Sequence, residues 1–151
     1  MSENIRVAID GPSGAGKSTL ARSVAARLNF LYVDTGAIYR TIGYAVWRKG
    51  IDPRDRSAVV AVLPDAEVKV FLTASAEERA RRRMLELEER GTPEPYAAIL
   101  RAIQERDWND THRDAAPLRQ AEDAVLLDTT ALDFVQSEDA LLHIIRERTG
   151  L

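Results

Sequence analysis

At 151 residues the chain suits one domain that hides roughly two-thirds of its extended-chain surface, so a substantial core is expected. A balance of 21 basic against 24 acidic residues leaves a net charge of -3; this excludes general phosphate neutralisation as a way of holding nucleic acid, and any phosphate binding must be local. No cysteine occurs, which removes disulfides, thiolate metal sites and cysteine nucleophiles and suits a reducing compartment.

Met1-Ser2-Glu3-Asn4 is polar and has neither a basic region nor a long apolar region behind it, and no apolar run reaches bilayer length. A cytoplasmic protein without membrane contact is expected. Ile5 to Ile9 is a short apolar run ending at a glycine-rich turn, the pattern of a buried parallel strand feeding a loop. From Lys17, Leu20, Val24 and Leu28 recur at helical spacing with Ala21 and Ala25 beside them. Phe30 to Val33 reads as a second strand, and Ile38, Ile42, Ala45 and Val46 as a further helical stripe that stops at Gly50. Ala58 to Leu63 is apolar but is broken by Pro64-Asp65.

Val68 to Leu72 is a clear strand, and Ser75-Ala76-Glu77-Glu78 forms a capping box that opens an arginine-rich helix running towards Arg90-Gly91. Tyr96 to Asp107 carries Ile99, Leu100 and Ile103 at helical spacing, followed by a polar stretch from Trp108 to Arg113. Ala124 to Leu127 is a last strand, and a final helix is expected from about Ser137 to Arg148. Strands alternating with helices imply a parallel sheet covered on both faces, the three-layer α/β/α class.

Gly11-Pro12-Ser13-Gly14-Ala15-Gly16-Lys17-Ser18 fits G-x-x-x-x-G-K-[ST] throughout. The framing glycines let the backbone curl so that successive N–H groups point at phosphate oxygens; the lysine meets the β- and γ-phosphates, the serine hydroxyl meets Mg²⁺, and the helix start adds its positive dipole end. The motif follows a predicted strand and opens a predicted helix, as its mechanism requires. Gly11 to Thr19 is therefore the expected ATP-binding segment, with Lys17 catalytic and Ser18 on the metal. No N-K-x-D motif for reading guanine occurs, so a GTPase switch is disfavoured, and His112 and His143 are isolated residues without partners at metal spacing.

Val7 to Thr19 followed by Asp34-Thr35-Gly36-Ala37-Ile38-Tyr39-Arg40 resembles the bacterial cytidylate kinase family. The later segments Val70 to Arg83, Glu105 to Arg113 and Ala116-Pro117-Leu118 resemble it in the same order. The resemblance implies a P-loop fold of the nucleoside monophosphate kinase type that moves the γ-phosphoryl group of ATP to CMP or dCMP with Mg²⁺, as a monomer. It further implies that Thr35 contacts the cytosine nucleotide, that Arg40 grips its α-phosphate, that Arg106 meets phosphates, and that Asp110 and Arg113 contact sugar or phosphate of the acceptor. Read from spacing alone, Arg40 also suits a surface helix, and Arg106, Asp110 and Arg113 also suit a solvated ion-pair ladder.

The run Arg79, Arg81, Arg82, Arg83 suits a lid over the transferring phosphoryl group, spanning about 79–95, or a surface face neutralised by the surrounding glutamates. The run does not by itself choose among its arginines; Arg82 is the expected catalytic one. Between Arg54-Asp55-Arg56-Ser57 and Pro64-Asp65 the sequence has almost nothing, where the family carries a small substrate-binding insertion, a strand and a Gly-Arg-Asp motif. That gap, near 57–63 within one kinase core of 1–151, has two readings: a deletion, or a mobile stretch that the numbering passes over. A deletion would leave the donor site and weaken acceptor binding. The alternatives are a nucleotide-binding module without turnover and a P-loop kinase of another small metabolite.

Overall fold

A computed structural model describes residues 5–33, 66–114 and 117–151. Val7–Asp10 is the first strand, β1; Val7 and Ile9 pack on the core while Ala8 and Asp10 face outward, the period-two alternation of a pleated strand. Val68–Thr73 is β2 and buries Val68, Val70 and Leu72; Val125–Asp128 is β3 and buries Leu127. The three strands are parallel in the order β1-β2-β3, with Val7 opposite Val68 and Val70 opposite Val125. Parallel pairing puts all the carboxyl ends on one edge. Asp10, Thr73 and Asp128 therefore finish close together, Asp10 opposite Phe71 and Thr73 opposite Asp128.

Four helices are described: α1 over Lys17–Leu28, α2 over Ala76–Glu89, α3 over Tyr96–His112 and α4 over Phe134–Thr149. Leu20 and Val24 of α1 and Leu141, Leu142 and Ile145 of α4 join the strand residues in one core on one face of the sheet. Glu138 of α4, nearly buried, accepts from the Ser23 hydroxyl and from Arg27 Nη1 at 2.8 Å, so the two helices are also tied by charge. On the opposite face the described residues leave Ala8 and Leu126 exposed. Helices α2 and α3 pair through a separate, smaller cluster of Ala80, Leu87 and Ile99.

Several boundaries differ from the sequence expectation, each for a local reason. Phe30 to Val33 is not a strand: Asn29 turns left-handed at φ 55°, Phe30 N–H returns to Ala25 O at 2.8 Å, and Leu31 and Val33 are left exposed without a ladder. The helix expected to end at Asp107 continues to His112, because its polar last turn is held by its own side chains, Thr111 Oγ donating to Asp107 O at 2.7 Å. The last helix starts three residues early, since Asp133 accepts from Gln136 N–H while Gln136 Oε1 accepts from Asp133 N–H, a capping box the apolar pattern did not signal. Only half of the box at Ser75 forms: its hydroxyl accepts from Glu78 N–H, but its own N–H donates to Thr130 Oγ1, and Glu78 turns to Arg81 and Arg82. The expected helix at Ile38 to Val46 and the run Ala58 to Leu63 lie outside the described residues.

Leu72 is fully buried and Leu126 is 53% exposed. Replacing Leu72 by alanine is expected to lower stability by about 2–5 kcal/mol, and Leu126→Ala to change it by no more than ~0.5 kcal/mol. Urea unfolding of the two variants checks this contrast.

Candidate active site

The loop between β1 and α1 is shaped by two constraints. Gly11 sits at φ +140°, and a Cβ there would stand 1.9 Å from the carbonyl oxygen of Leu72, so the chain leaving β1 runs against the end of β2 with no room for a side chain. Gly16 caps α1 at φ +85°, a left-handed turn that brings the first helical amides to face back over the loop. Between them Pro12 and Ala15 are buried, while Gly14, Ser18 and Thr19 are exposed. The amide of Gly11 donates to Asp10 Oδ1 at 2.8 Å, which anchors the mouth of the loop to the last residue of β1.

Lys17 folds across this mouth. Its ammonium donates to the carbonyls of Gly11 at 2.7 Å and Pro12 at 2.8 Å. Its pKa lies below the usual lysine value of 10.5, chiefly because burial strips water from the charge; Asp10 works against the shift, Arg106 and Arg79 add to it, and Asp110 opposes them. Lys17 therefore stands within electrostatic reach of residues that are 62 to 93 positions away in sequence. A poorly solvated ammonium whose hydrogen-bond partners among the described residues are two neutral carbonyls is well suited to meet an anion, because phosphate oxygens replace those partners and restore the lost charge compensation.

Helix α3 carries Arg106 and Asp110, and Arg113 caps its end. Asp110 lies between the two arginines, 3.9 Å from Arg106 Nε and 4.0 Å from Arg113 Nη1, and both guanidinium groups are more than half exposed. These three residues are thus brought together by helical spacing, and Arg106 and Asp110 also act on Lys17. Arg82 is engaged elsewhere: Nε donates to Glu78 at 2.9 Å and Nη2 to Thr129 O at 2.7 Å, which ties α2 to the turn after β3. The arginine under the phosphate loop is Arg79, which donates to Ser13 O at 3.0 Å. Asp107, which pairs with Arg79 through both oxygens at 2.9 and 2.5 Å, carried no sequence signal beyond lying next to Arg106. Thr35 and Arg40 lie outside the described residues.

Lys17 is expected to titrate below 10.5, and Asp10→Asn is expected to depress it further by removing the opposing carboxylate. Because the charged form is the disfavoured one in the fold, the ammonium loses its proton earlier as pH rises than an exposed lysine would. A pH titration of the Lys17 Nζ resonance reads both shifts; a midpoint in the variant equal to or above that of the unaltered chain contradicts the assignment.

The family model described as "Cytidylate kinase" matches this chain in two overlapping pieces, residues 7–62 and 54–147. Among curated relatives, a cytidylate kinase of Geobacillus sp. (strain WCH70) is 32% identical over 224 aligned positions that take in 99% of this chain and 100% of the relative. One of Shouchella clausii (strain KSM-K16) is 33% identical over 223 positions, covering 99% of each chain. One of Paramagnetospirillum magneticum (strain ATCC 700264 / AMB-1) is 36% identical over 203 positions, covering 92% of this chain and 96% of the relative. An alignment of 224 positions cannot be filled by 151 residues, so these relatives carry an interior block that has no counterpart here. The two pieces of the family match meet at residues 54–62, which places the junction just before β2. With its phosphate loop at the carboxyl edge of a parallel sheet and matches reaching both ends of the relatives, the chain belongs to the cytidylate kinase family, phosphotransferases of the P-loop nucleoside monophosphate kinase class, and lacks the family's central segment.

Proposed function

We propose that the chain transfers the γ-phosphoryl group of ATP to CMP or dCMP, giving CDP or dCDP and ADP. The observation that carries this reading is the placement of Lys17 across the loop mouth with Arg106 and Asp110 in its field. The loop suits a polyphosphate: Gly11 pins its floor against the Leu72 carbonyl, where no side chain fits, and the left-handed turn at Gly16 opens α1 at the same mouth. Lys17 exchanges its two carbonyl partners for the β- and γ-phosphates. The Ser18 hydroxyl would hold Mg²⁺, which neutralises phosphate charge when bound. Arg106 offsets charge on the phosphates and, with Asp110 and Arg113, orients the acceptor, while Thr35 and Arg40 hold its base and α-phosphate.

In the transfer an acceptor phosphate oxygen forms the new P–O bond as the bond to the β–γ bridging oxygen breaks, and no group of the protein becomes phosphorylated. The residues act by alignment and by electrostatic compensation. Residues 1–151 form one kinase core, with the segment around 79–95 as the lid that excludes water. For Arg82 to reach the phosphoryl group it must leave Glu78 and Thr129, so its part in the reaction requires movement of α2. The reading takes the chain as a monomer working in the cytoplasm; no helix among the described residues is long and apolar enough to cross a membrane.

A second reading is favoured by one observation: the relatives carry an interior block that this chain lacks, in the interval where the resemblance implies a small substrate-binding insertion. In that case the chain holds MgATP without turnover. Measured by coupled ADP release, the transfer reading expects ADP formation that depends on CMP or dCMP and exceeds that with AMP or UMP, and Lys17→Ala is expected to lower it about 100-fold or more. Equal ADP release with and without CMP rejects the transfer. Calorimetric binding of MgATP with neither CMP binding nor ADP formation selects the module.

A further inference from the structure

Arg79 is the one buried basic side chain among the described residues, 4% exposed. Its guanidinium joins three pieces of backbone and helix. Nε donates to Ala74 O at 2.9 Å just before α2, Nη1 donates to Ser13 O at the tip of the phosphate loop at 3.0 Å, and Nη1 and Nη2 grip both oxygens of Asp107 on α3. A Cβ on Gly14 would meet the Cβ of Arg79 at 3.9 Å, so the first turn of α2 lies directly against the loop.

Glue between α2 and α3 does not account for this arrangement. The two helices already pair through Ala80, Leu87 and Ile99, and the bond from Arg79 Nη1 to Ser13 O adds nothing to that contact. What the fork does fix is the rotation of α3 about its axis. Asp107 is one residue, about 100° of helix turn, from Arg106, and three residues from Asp110. Once Asp107 is held in a bidentate grip, the direction of Arg106 follows. The Arg106–Asp110 pair cannot set that direction itself, being a contact of 3.9 Å with an arginine that is 67% exposed.

We propose that Arg79 and Asp107 are positioning residues: through one bidentate pair with a buried guanidinium they set where Arg106 stands relative to Lys17, so that loop and helix answer the same phosphate charge together. The proposal deepens the reading of the phosphate loop and rests on it. A change in Ser13 on nucleotide binding is passed through Arg79 to Asp107 and so to Arg106, two arms of one site linked by a single side chain.

The test is a double-mutant cycle on MgATP affinity, read by calorimetry with thermal melting alongside. Arg106→Ala alone is expected to weaken MgATP about tenfold, whereas in an Asp107→Asn background the same change should weaken it by less than about twofold, since contacting residues of one network couple on that scale. Arg79→Lys keeps the charge but loses the fork, and is expected to behave like Asp107→Asn. If the variants melt lower yet the loss on Arg106→Ala stays tenfold in both backgrounds, the pair is merely structural and the proposal is overturned. An Arg79→Lys chain with an intact Arg106 effect overturns it too. One measurement needs no variant: the Arg79 Nε–H resonance should shift when MgATP is added to the unaltered chain, and a resonance that stays put under saturating MgATP overturns the coupling while leaving the phosphate-loop reading in place. Absence of MgATP binding by the unaltered chain overturns both.

Discussion

Where β1 ends, its backbone passes so close to the carbonyl of Leu72 that only a glycine can occupy position 11. The phosphate loop is thereby pinned to the central strand rather than suspended from its own helix. Leu72 is itself fully buried in the core shared by α1 and α4, so the floor of the loop inherits the rigidity of the best-packed part of the molecule. That rigidity suits the polyphosphate-binding role proposed for the loop, because amide dipoles held in place need not reorganise when charge arrives.

Against this fixed floor the charges are arranged in layers of different stiffness. Arg79 and Asp107 are locked by a bidentate pair under the loop. Lys17, partly desolvated, is held by two carbonyl oxygens. Arg106 and Arg113 flank Asp110 at the edge of hydrogen-bond reach and are largely exposed. Burial decides which of these contacts can carry positional information. An exposed pair near 4 Å contributes about 0–1 kcal/mol, whereas the Arg79–Asp107 pair, with the arginine 4% and the carboxylate 28% exposed, is less screened and costs more to open. The Arg106 guanidinium, 67% exposed, can turn to a ligand, and the Arg79–Asp107 pair governs the direction from which it starts.

Membership of the cytidylate kinase family comes with an interior block missing at the junction before β2. The loop and its floor are built from residues 7–20 and 68–74, which pack on each other without the absent block.

The glycine spacing at 11 and 16, the lysine, the apolar alternation of Val68 to Leu72 and the helical stripe from Leu20 to Leu28 were all legible from the chain alone, because each expresses a local rule: a backbone angle, a strand period or a helix period. The short run at Phe30 to Val33 has the same composition as a strand yet makes no ladder, since a strand exists only through a partner and composition does not name one. Arg79, Arg82 and Arg83 share one helical spacing, and no local rule separates them; that Arg79 lies under Ser13 while Arg82 holds Thr129 depends on how α2 meets the loops after β1 and β3. Asp107 was invisible for the same reason, as its value comes from an arginine 28 positions away. Local periodicity and the phosphate motif were determined by sequence; which of several equivalent charges became buried, and so became positional, was decided by tertiary packing, because desolvation exists only once the chain has closed around a side chain.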